Sequence, residues 1–251
     1  MQNTLVILTG ASKGMGQAMA RQLLQPNVRL LCISRNTDDS LTKAAEKHGT
    51  FLEQWSADLS DGAGVAARLS TWLSALDSSQ LKNATLINNA GVIGPLAPTQ
   101  DNDPLQLAYA LRVGLEAPMQ LCAAFLSATQ HWTAQRKVLN ISSGLGRRPM
   151  ASSAAYCAAK AGMDHFTRCV ALEEALRLQG AKVCSLAPGV IDTNMQTDLR
   201  SADPLAFPDQ GNFAGLHAQG QLTSPEDAAQ RVLAYLERAD FGSQAVADVR
   251  G

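Results

Sequence analysis

Thr4-Leu5-Val6-Ile7-Leu8-Thr9 runs directly into Gly10-Ala11-Ser12-Lys13-Gly14-Met15-Gly16, and this junction decides the fold. The first six residues form an apolar, β-rich run of strand length. The glycines follow at G-x-x-x-G-x-G spacing, ahead of a helical pattern over Gly14–Leu24. Gly10 permits a tight turn out of the strand, Gly14 lets backbone approach a pyrophosphate, and Gly16 lets the helix lie close to the sheet. The helix start then offers free N–H groups and a partial positive charge to phosphate. No Gly-Lys-Ser/Thr follows at the spacing of a Walker loop. The junction therefore points to a dinucleotide site, with Gly10, Ser12, Lys13, Gly14, Met15 and Gly16 as its candidate loop.

Outward from this junction, apolar runs alternate with helical patterns. Strands are expected at Arg29–Ser34, Thr50–Ser56, Thr85–Asn88, Lys137–Ser142, Lys182–Ala187 and Gln244–Val249. Helices are expected at Asp38–His48, Gly62–Leu76, Pro104–Thr129, Ser153–Gln179 and Pro225–Glu237. Such alternation means parallel strands joined by crossover helices. The strands read as unbroken apolar runs, as they do when helices cover both faces. The expectation is an α/β fold: a Rossmann-type, doubly wound parallel sheet of about seven strands with helices on both faces, forming a single domain over 1–251. One stretch, 195–223, breaks the rhythm. It is rich in Gly, Asp and Gln, and too long for an ordinary connection. It is expected to be a substrate lid loop.

Bulk properties exclude several classes. Formal net charge is −1, so no global field draws nucleic acid or anionic membranes. No apolar run approaches the roughly 20 residues of a membrane span. The start, MQNTLVILTG, has no signal-peptide pattern and enters a strand at once. Five scattered cysteines offer neither a CxxC pair nor an even disulfide framework, which suits a reducing cytosol. The four histidines show no ligand spacing, and no metal site is expected.

The second strand ends Ser34-Arg35-Asn36. An acidic residue there would bind a ribose 2′-hydroxyl, whereas an Arg accommodates a 2′-phosphate. Lys13 can reach the same phosphate, so Arg35, Asn36 and Lys13 favour NADPH over NADH.

Further motifs follow in order: Asp58-Leu59, Asn88-Asn89-Ala90-Gly91, Ile141-Ser142-Ser143, Tyr156-Cys157-Ala158-Ala159-Lys160 and Pro188-Gly189-Val190-Ile191-Asp192-Thr193. With the glycine loop, this series resembles the short-chain dehydrogenase/reductase family across nearly the whole chain. The resemblance implies a bound NADPH or NADP+ and carbonyl–alcohol chemistry. It also implies that Asp58 and Leu59 hold the adenine, and that Asn89, Ala90 and Gly91 line the ribose. Pro188, Gly189, Ile191, Thr193 and Met195 would meet the nicotinamide end, and Lys160 would bond the nicotinamide ribose.

The residues carry a consistent chemistry. Tyr156 and Lys160 stand four apart and share one helix face. A free Tyr titrates near pH ~10, and a neighbouring ammonium lowers that value. Tyr156 can then protonate a carbonyl oxygen. Ser143, thirteen residues earlier at a strand end, matches the family's catalytic Ser and can hydrogen-bond the developing alkoxide. Ser142 should face the other way on the strand. Cys157 is expected to be packing, and Arg147 and Arg148 solvated loop cations. One position departs from the family: Gly114 stands where relatives carry an Asn that holds a water beside the Lys.

Within the family, the narrower resemblance is to sepiapterin reductases and bacterial benzil reductases. It rests on Ser34-Arg35-Asn36, Tyr156-Cys157-Ala158-Ala159-Lys160, Ala187 to Gln196 and Phe241 to Asp248. It implies a small dicarbonyl substrate reduced to an α-hydroxyketone, with Leu145, Gln196 and Asp248 as candidate substrate residues. Asp248 matches the Asp that anchors the pterin in sepiapterin reductases; the alternative is an Asp that only ends a strand, as many other family members carry there. The alternatives are a generic short-chain ketone reductase or alcohol dehydrogenase, and a non-catalytic NADPH-binding regulator. The small-residue faces of the two long helices suggest a homodimer or homotetramer.

Overall fold

The computed structural model describes residues 3–250; the ends of the expected 1–251 span lie outside the described residues. Seven strands form one sheet: β1 (Thr4–Thr9), β2 (Val28–Ser34), β3 (Phe51–Ser56), β4 (Asn83–Asn88), β5 (Gln135–Ile141), β6 (Lys182–Ala187) and β7 (Val246–Asp248). Their order is β3-β2-β1-β4-β5-β6-β7, and every neighbouring pair is parallel. The chain winds outward from β1 in one direction, then crosses to β4 and winds the other way. That switch point opens a crevice at the carboxyl ends of β1 and β4.

Successive residues on each strand face opposite layers. Val6, Leu8, Leu30, Cys32, Leu139 and Leu186 pack with α1 (Gly14–Gln22), α2 (Asp39–His48) and α9 (Pro225–Leu236). Leu5, Ile7, Leu31, Leu86, Val138 and Val183 pack with α3 (Gly62–Ser74), α5 (Ala117–Ala128) and α6 (Ala154–Ala175). Each such fully buried aliphatic contributes roughly 1.5–3 kcal/mol relative to exposure. Local caps set the helix starts: Asp38 accepts from Ser40 N, and Ser224 accepts from Asp227 N.

Element bounds differ from expectation by a few residues, with two larger corrections. The helix expected over Pro104–Thr129 is three pieces: α4 (Pro104–Leu111), a π-helical turn at Arg112–Glu116, and α5. Pro118 has no N–H for the Gly114 carbonyl and its ring would crowd that oxygen, so the helix widens there. The second correction is the expected loop 195–223. It carries two short helices, α7 (Asn194–Arg200) and α8 (Gln210–Ala218). Its ends are pinned together, since Asp192 N donates to Thr223 O and Thr223 N to Val190 O.

Candidate active site

A continuous cleft of about 760 Å³ follows the carboxyl ends of the central strands, from Arg35 past the glycine loop to α8. Gly10 has φ +69°, and a Cβ there would sit 2.9 Å from Ala90 Cα. At Gly16 a Cβ would lie 2.0 Å from the Gly10 carbonyl oxygen, so α1 begins against the loop it follows. Side chains lock this geometry. Ala11 N donates to Ser34 Oγ (2.9 Å), and Asn89 Nδ2 donates to Thr9 O (3.0 Å) and Gly10 O (3.2 Å). Thr9 Oγ1 accepts from Asn89 N and Ala90 N, tying the ends of β1 and β4. Asn89 thus braces the loop, and Thr9 joins it there, a role the sequence did not disclose. No side chain caps α1, which leaves its first N–H groups facing the cleft.

Tyr156 and Lys160 reach the cleft from α6, and Ser143 reaches it from the end of β5. The Lys160 ammonium donates to Ile141 O at 2.7 Å and lies 5.7 Å from the Tyr156 ring centroid. Ser143 Oγ accepts from Leu145 N, which fixes the turn Gly144–Gly146. Burial pushes the Lys160 ammonium down to about 8 from 10.5, opposed by the charge of Asp164. Burial also pushes the Tyr156 phenol up, while the Ser143 hydroxyl beside it pulls the other way. This corrects the expected lowering: in the protein alone, desolvation of the phenolate outweighs what its neighbours supply.

The cleft brings together Gly10, Ser12, Lys13, Gly14, Met15, Gly16, Arg35, Asp58, Leu59, Asn89, Ala90, Gly91, Ser143, Leu145, Tyr156, Lys160, Pro188, Gly189, Ile191, Thr193, Met195 and Gln196. Two expected residues are not among its walls. Asn36 is exposed where the chain turns away toward α2. Asp248 holds Arg250 through both carboxylate oxygens (2.8 Å each), and the wall there is Arg250. Arg147 also differs from expectation. Its Nε pairs with the buried Asp164 at 3.3 Å, and it donates to Ala247 O at 2.8 Å. Ser142 also borders the cleft, and its hydroxyl donates to Asp164. Cys157 packs, as expected, against the apolar cluster that includes Leu199 and Phe207.

Several wall residues carried no sequence signal. Tyr109 of α4 accepts a hydrogen bond from Arg35 (3.2 Å), so a residue 74 positions away orients the candidate phosphate reader. Ile93, Leu199 and Phe213 join Leu145 and Tyr156 around the Ser143 end. Phe213 stacks on the fully buried Phe207, with ring centroids 5.8 Å apart. Ser152, in a left-handed conformation (φ +60°), donates to Ala206 O and ties this segment to the approach to α6. The Gly114 position is tight: a Cβ there would meet Ala159 Cβ at 3.1 Å.

Sheet order, glycine turn and cleft together define a dinucleotide-binding Rossmann fold with Ser143, Tyr156 and Lys160 gathered in its cleft. Residues 4–204 match the family described as short chain dehydrogenase, and the chain belongs to that family of oxidoreductases acting on carbonyl and hydroxyl groups. It is 36% identical over 236 residues to the benzil reductase ((S)-benzoin forming) of Bacillus cereus, covering 94% of this chain and 95% of that one. It is 32% identical over 255 residues to the sepiapterin reductase of Rattus norvegicus, covering 96% and 94%. A metagenomic short-chain oxidoreductase solved in complex with NADP superposes with TM-score 0.72 at 26% identity, covering 98% and 95%.

Proposed function

We propose that this chain is an NADPH-dependent reductase of small vicinal dicarbonyls, producing an α-hydroxyketone. The observation that carries this is the meeting of Ser143, Tyr156 and Lys160 at one end of a cleft whose other end holds Lys13 and Arg35. The cleft suits a dinucleotide: the uncapped α1 start, and Gly10, Gly14 and Gly16, which place no Cβ at their turns of the loop, provide a phosphate cradle. Lys13 and Arg35, two cations at the ribose end, suit a 2′-phosphate. When bound, the reduced nicotinamide supplies the hydride. Tyr156 gives its proton to the carbonyl oxygen, and Ser143 donates a hydrogen bond to the same oxygen as charge develops there. Lys160 holds a positive charge behind the phenol and favours its ionised form once the proton has left. Ser143, Tyr156 and the buried Leu145 position the substrate; α7, α8 and their connection act as its lid.

Within this class, the walls favour an aryl diketone over a pterin. Ile93, Leu145, Leu199 and Phe213 give the substrate end an apolar lining. A pterin's guanidine-like edge would need the Asp248 carboxylate, which Arg250 already occupies. The relatives support both substrate types, since benzil and sepiapterin reductases are each similar over more than nine-tenths of the chain. Exposed Leu105, Leu172 and Leu176 on α4 and α6 and just beyond suit self-association as a homodimer or homotetramer, which light scattering will decide. Five free cysteines suit a reducing, cytosolic setting. The deciding experiment follows NADPH oxidation with benzil, sepiapterin and a simple monoketone, each repeated with NADH. Benzil turnover with NADPH is expected, and its loss in Tyr156→Phe with NADPH affinity retained. Tight NADPH binding without turnover of any carbonyl would refute the proposal.

A further inference from the structure

Behind Lys160, side chains from three other segments converge on one carboxylate. Asp164 lies one helical turn after Lys160 on α6 and is 1% exposed. Ser142, next to Ser143, and Ser185 of β6 each donate to its Oδ1 at 2.6 Å. Arg147, from the turn after Ser143, pairs with Oδ2 at 3.3 Å and reaches on to Ala247 O of β7. Gly146 is pressed against the same helix, since a Cβ there would lie 2.9 Å from Lys160 O and 3.1 Å from Asp164 Oδ2.

A buried carboxylate is poor value as a stabiliser, because desolvation can exceed the Coulombic gain and apolar residues of similar volume often serve as well. Its partners here are not scattered: Ser142 and Arg147 bracket Ser143, and Lys160 is its neighbour along the helix. We propose that Asp164 is a positioning residue for the reaction, holding the Ser143 turn through Ser142 and Arg147 and supplying the negative charge that faces Lys160. The proposal rests on the assignment of Ser143, Tyr156 and Lys160 to catalysis. The titratable and charged groups around Asp164 are Lys160 on its own helix, Arg147 from the turn and Cys184 from β6, with Asp248 of β7 beyond Arg147 and Tyr235 of α9 beyond Cys184. Of these, Asp164 is the one that opposes the effect of burial on Lys160.

The test compares the full chain with Asp164→Asn, Ser142→Ala and Arg147→Gln. Lys160 is titrated by ¹H–¹³Cε NMR without nucleotide, its signal assigned by its loss in Lys160→Met. In parallel, kcat and KM for diketone reduction are followed across pH. Removing the carboxylate's charge disfavours the ammonium, so Asp164→Asn should titrate Lys160 about one pH unit lower. The alkaline fall of kcat should move with it, leaving about fivefold less activity at a pH near 8. Ser142→Ala keeps the charge and loosens the turn; kcat should fall about tenfold, with KM and the alkaline limb unmoved. Arg147→Gln removes the opposing cation and should shift Lys160 upward, which decides the electrostatic part if Asp164→Asn does not fold. An unmoved Lys160 titration in a folded charge variant, or full kcat in Ser142→Ala, overturns the proposal. Turnover retained in Tyr156→Phe would instead remove the catalytic assignment and leave the NMR result standing.

Discussion

Gly16→Ala tests whether the glycine loop is built by steric necessity. The added Cβ would fall 2.0 Å from the Gly10 carbonyl oxygen and 2.5 Å from Asn89 Nδ2. Favourable carbon contacts begin near ~3.5 Å, so the gap must open by roughly 1 Å or more. Neither neighbour can yield alone: Asn89 Nδ2 is bonded to Thr9 O and Gly10 O, and Thr9 holds Asn89 and Ala90 in turn. α1 would have to move instead, but Met15, Ala18 and Met19 on its inner face are buried. Overpacking costs about 1–3 kcal/mol and sometimes more. A backbone clash belongs at the upper end, and the better helix propensity of Ala offsets at most about 1 kcal/mol. The net loss should be about 2–3 kcal/mol, or roughly 5–10 °C in melting temperature for a chain of this size. Gly211→Ala is the control. It lies in α8, with nothing within 4 Å of its Cβ position, and should be neutral or slightly stabilising. Thermal melts and NADPH fluorescence titration of both variants make the assay. Gly16→Ala melting within about 2 °C of wild type, with unchanged nucleotide affinity, would refute the steric account.

Arg35→Ala should weaken NADPH binding by about tenfold or more and leave NADH unaffected, since a charged hydrogen bond is worth about 1.5–3 kcal/mol and this side chain is exposed; equal losses for both nucleotides would discharge Arg35 from reading the phosphate. Phe213→Ala should raise KM for benzil about tenfold while leaving butane-2,3-dione nearly unchanged; parallel losses on both would mean that α8 itself had come loose. Asp248→Asn should leave benzil turnover within about twofold, because its carboxylate serves Arg250 and not the cleft; a large loss measured under saturating NADPH would place it in the substrate site. For Lys160 the folded pKa lies below its ordinary value, so burial of the ammonium costs stability at neutral pH. That cost is full below about pH 8 and is relieved as pH rises toward 10.5, for a total of about 3 kcal/mol. Urea titrations of wild type and Lys160→Met should therefore show wild type gaining relative stability across that window, and a constant difference would contradict the burial.

The alternation of strand and helix patterns was readable because burial on two faces demands apolar strands and one-sided helices. Hence β1, β6 and the starts of α1, α3, α4 and α9 lie where the pattern put them. The widened turn at Arg112–Glu116 had a local signal in Pro118, since a residue without an N–H cannot continue an α-helical ladder to Gly114. The helices inside 195–223 had almost none. α8 is polar or small on most sides and half-buried at best, so no apolar periodicity marks it, and its ordering comes from Phe207 and Phe213 packing beneath.

By itself the sequence determined the family and pointed to the glycine loop, the Tyr156–Lys160 pair and Ser143, because each motif depends on residue types at short spacings within one turn or one helix and the motifs follow one another in order along the chain. The tertiary structure alone decided what depends on distant segments meeting. Arg35 and Tyr109 are 74 residues apart, Arg147 reaches Ala247 across 100, and Asp164 takes hydroxyls from the segment just after β5 and from β6. The same holds for the direction of the Tyr156 shift. A carboxylate's partner and a phenol's desolvation are set by packing in three dimensions, and neither leaves a period in the chain.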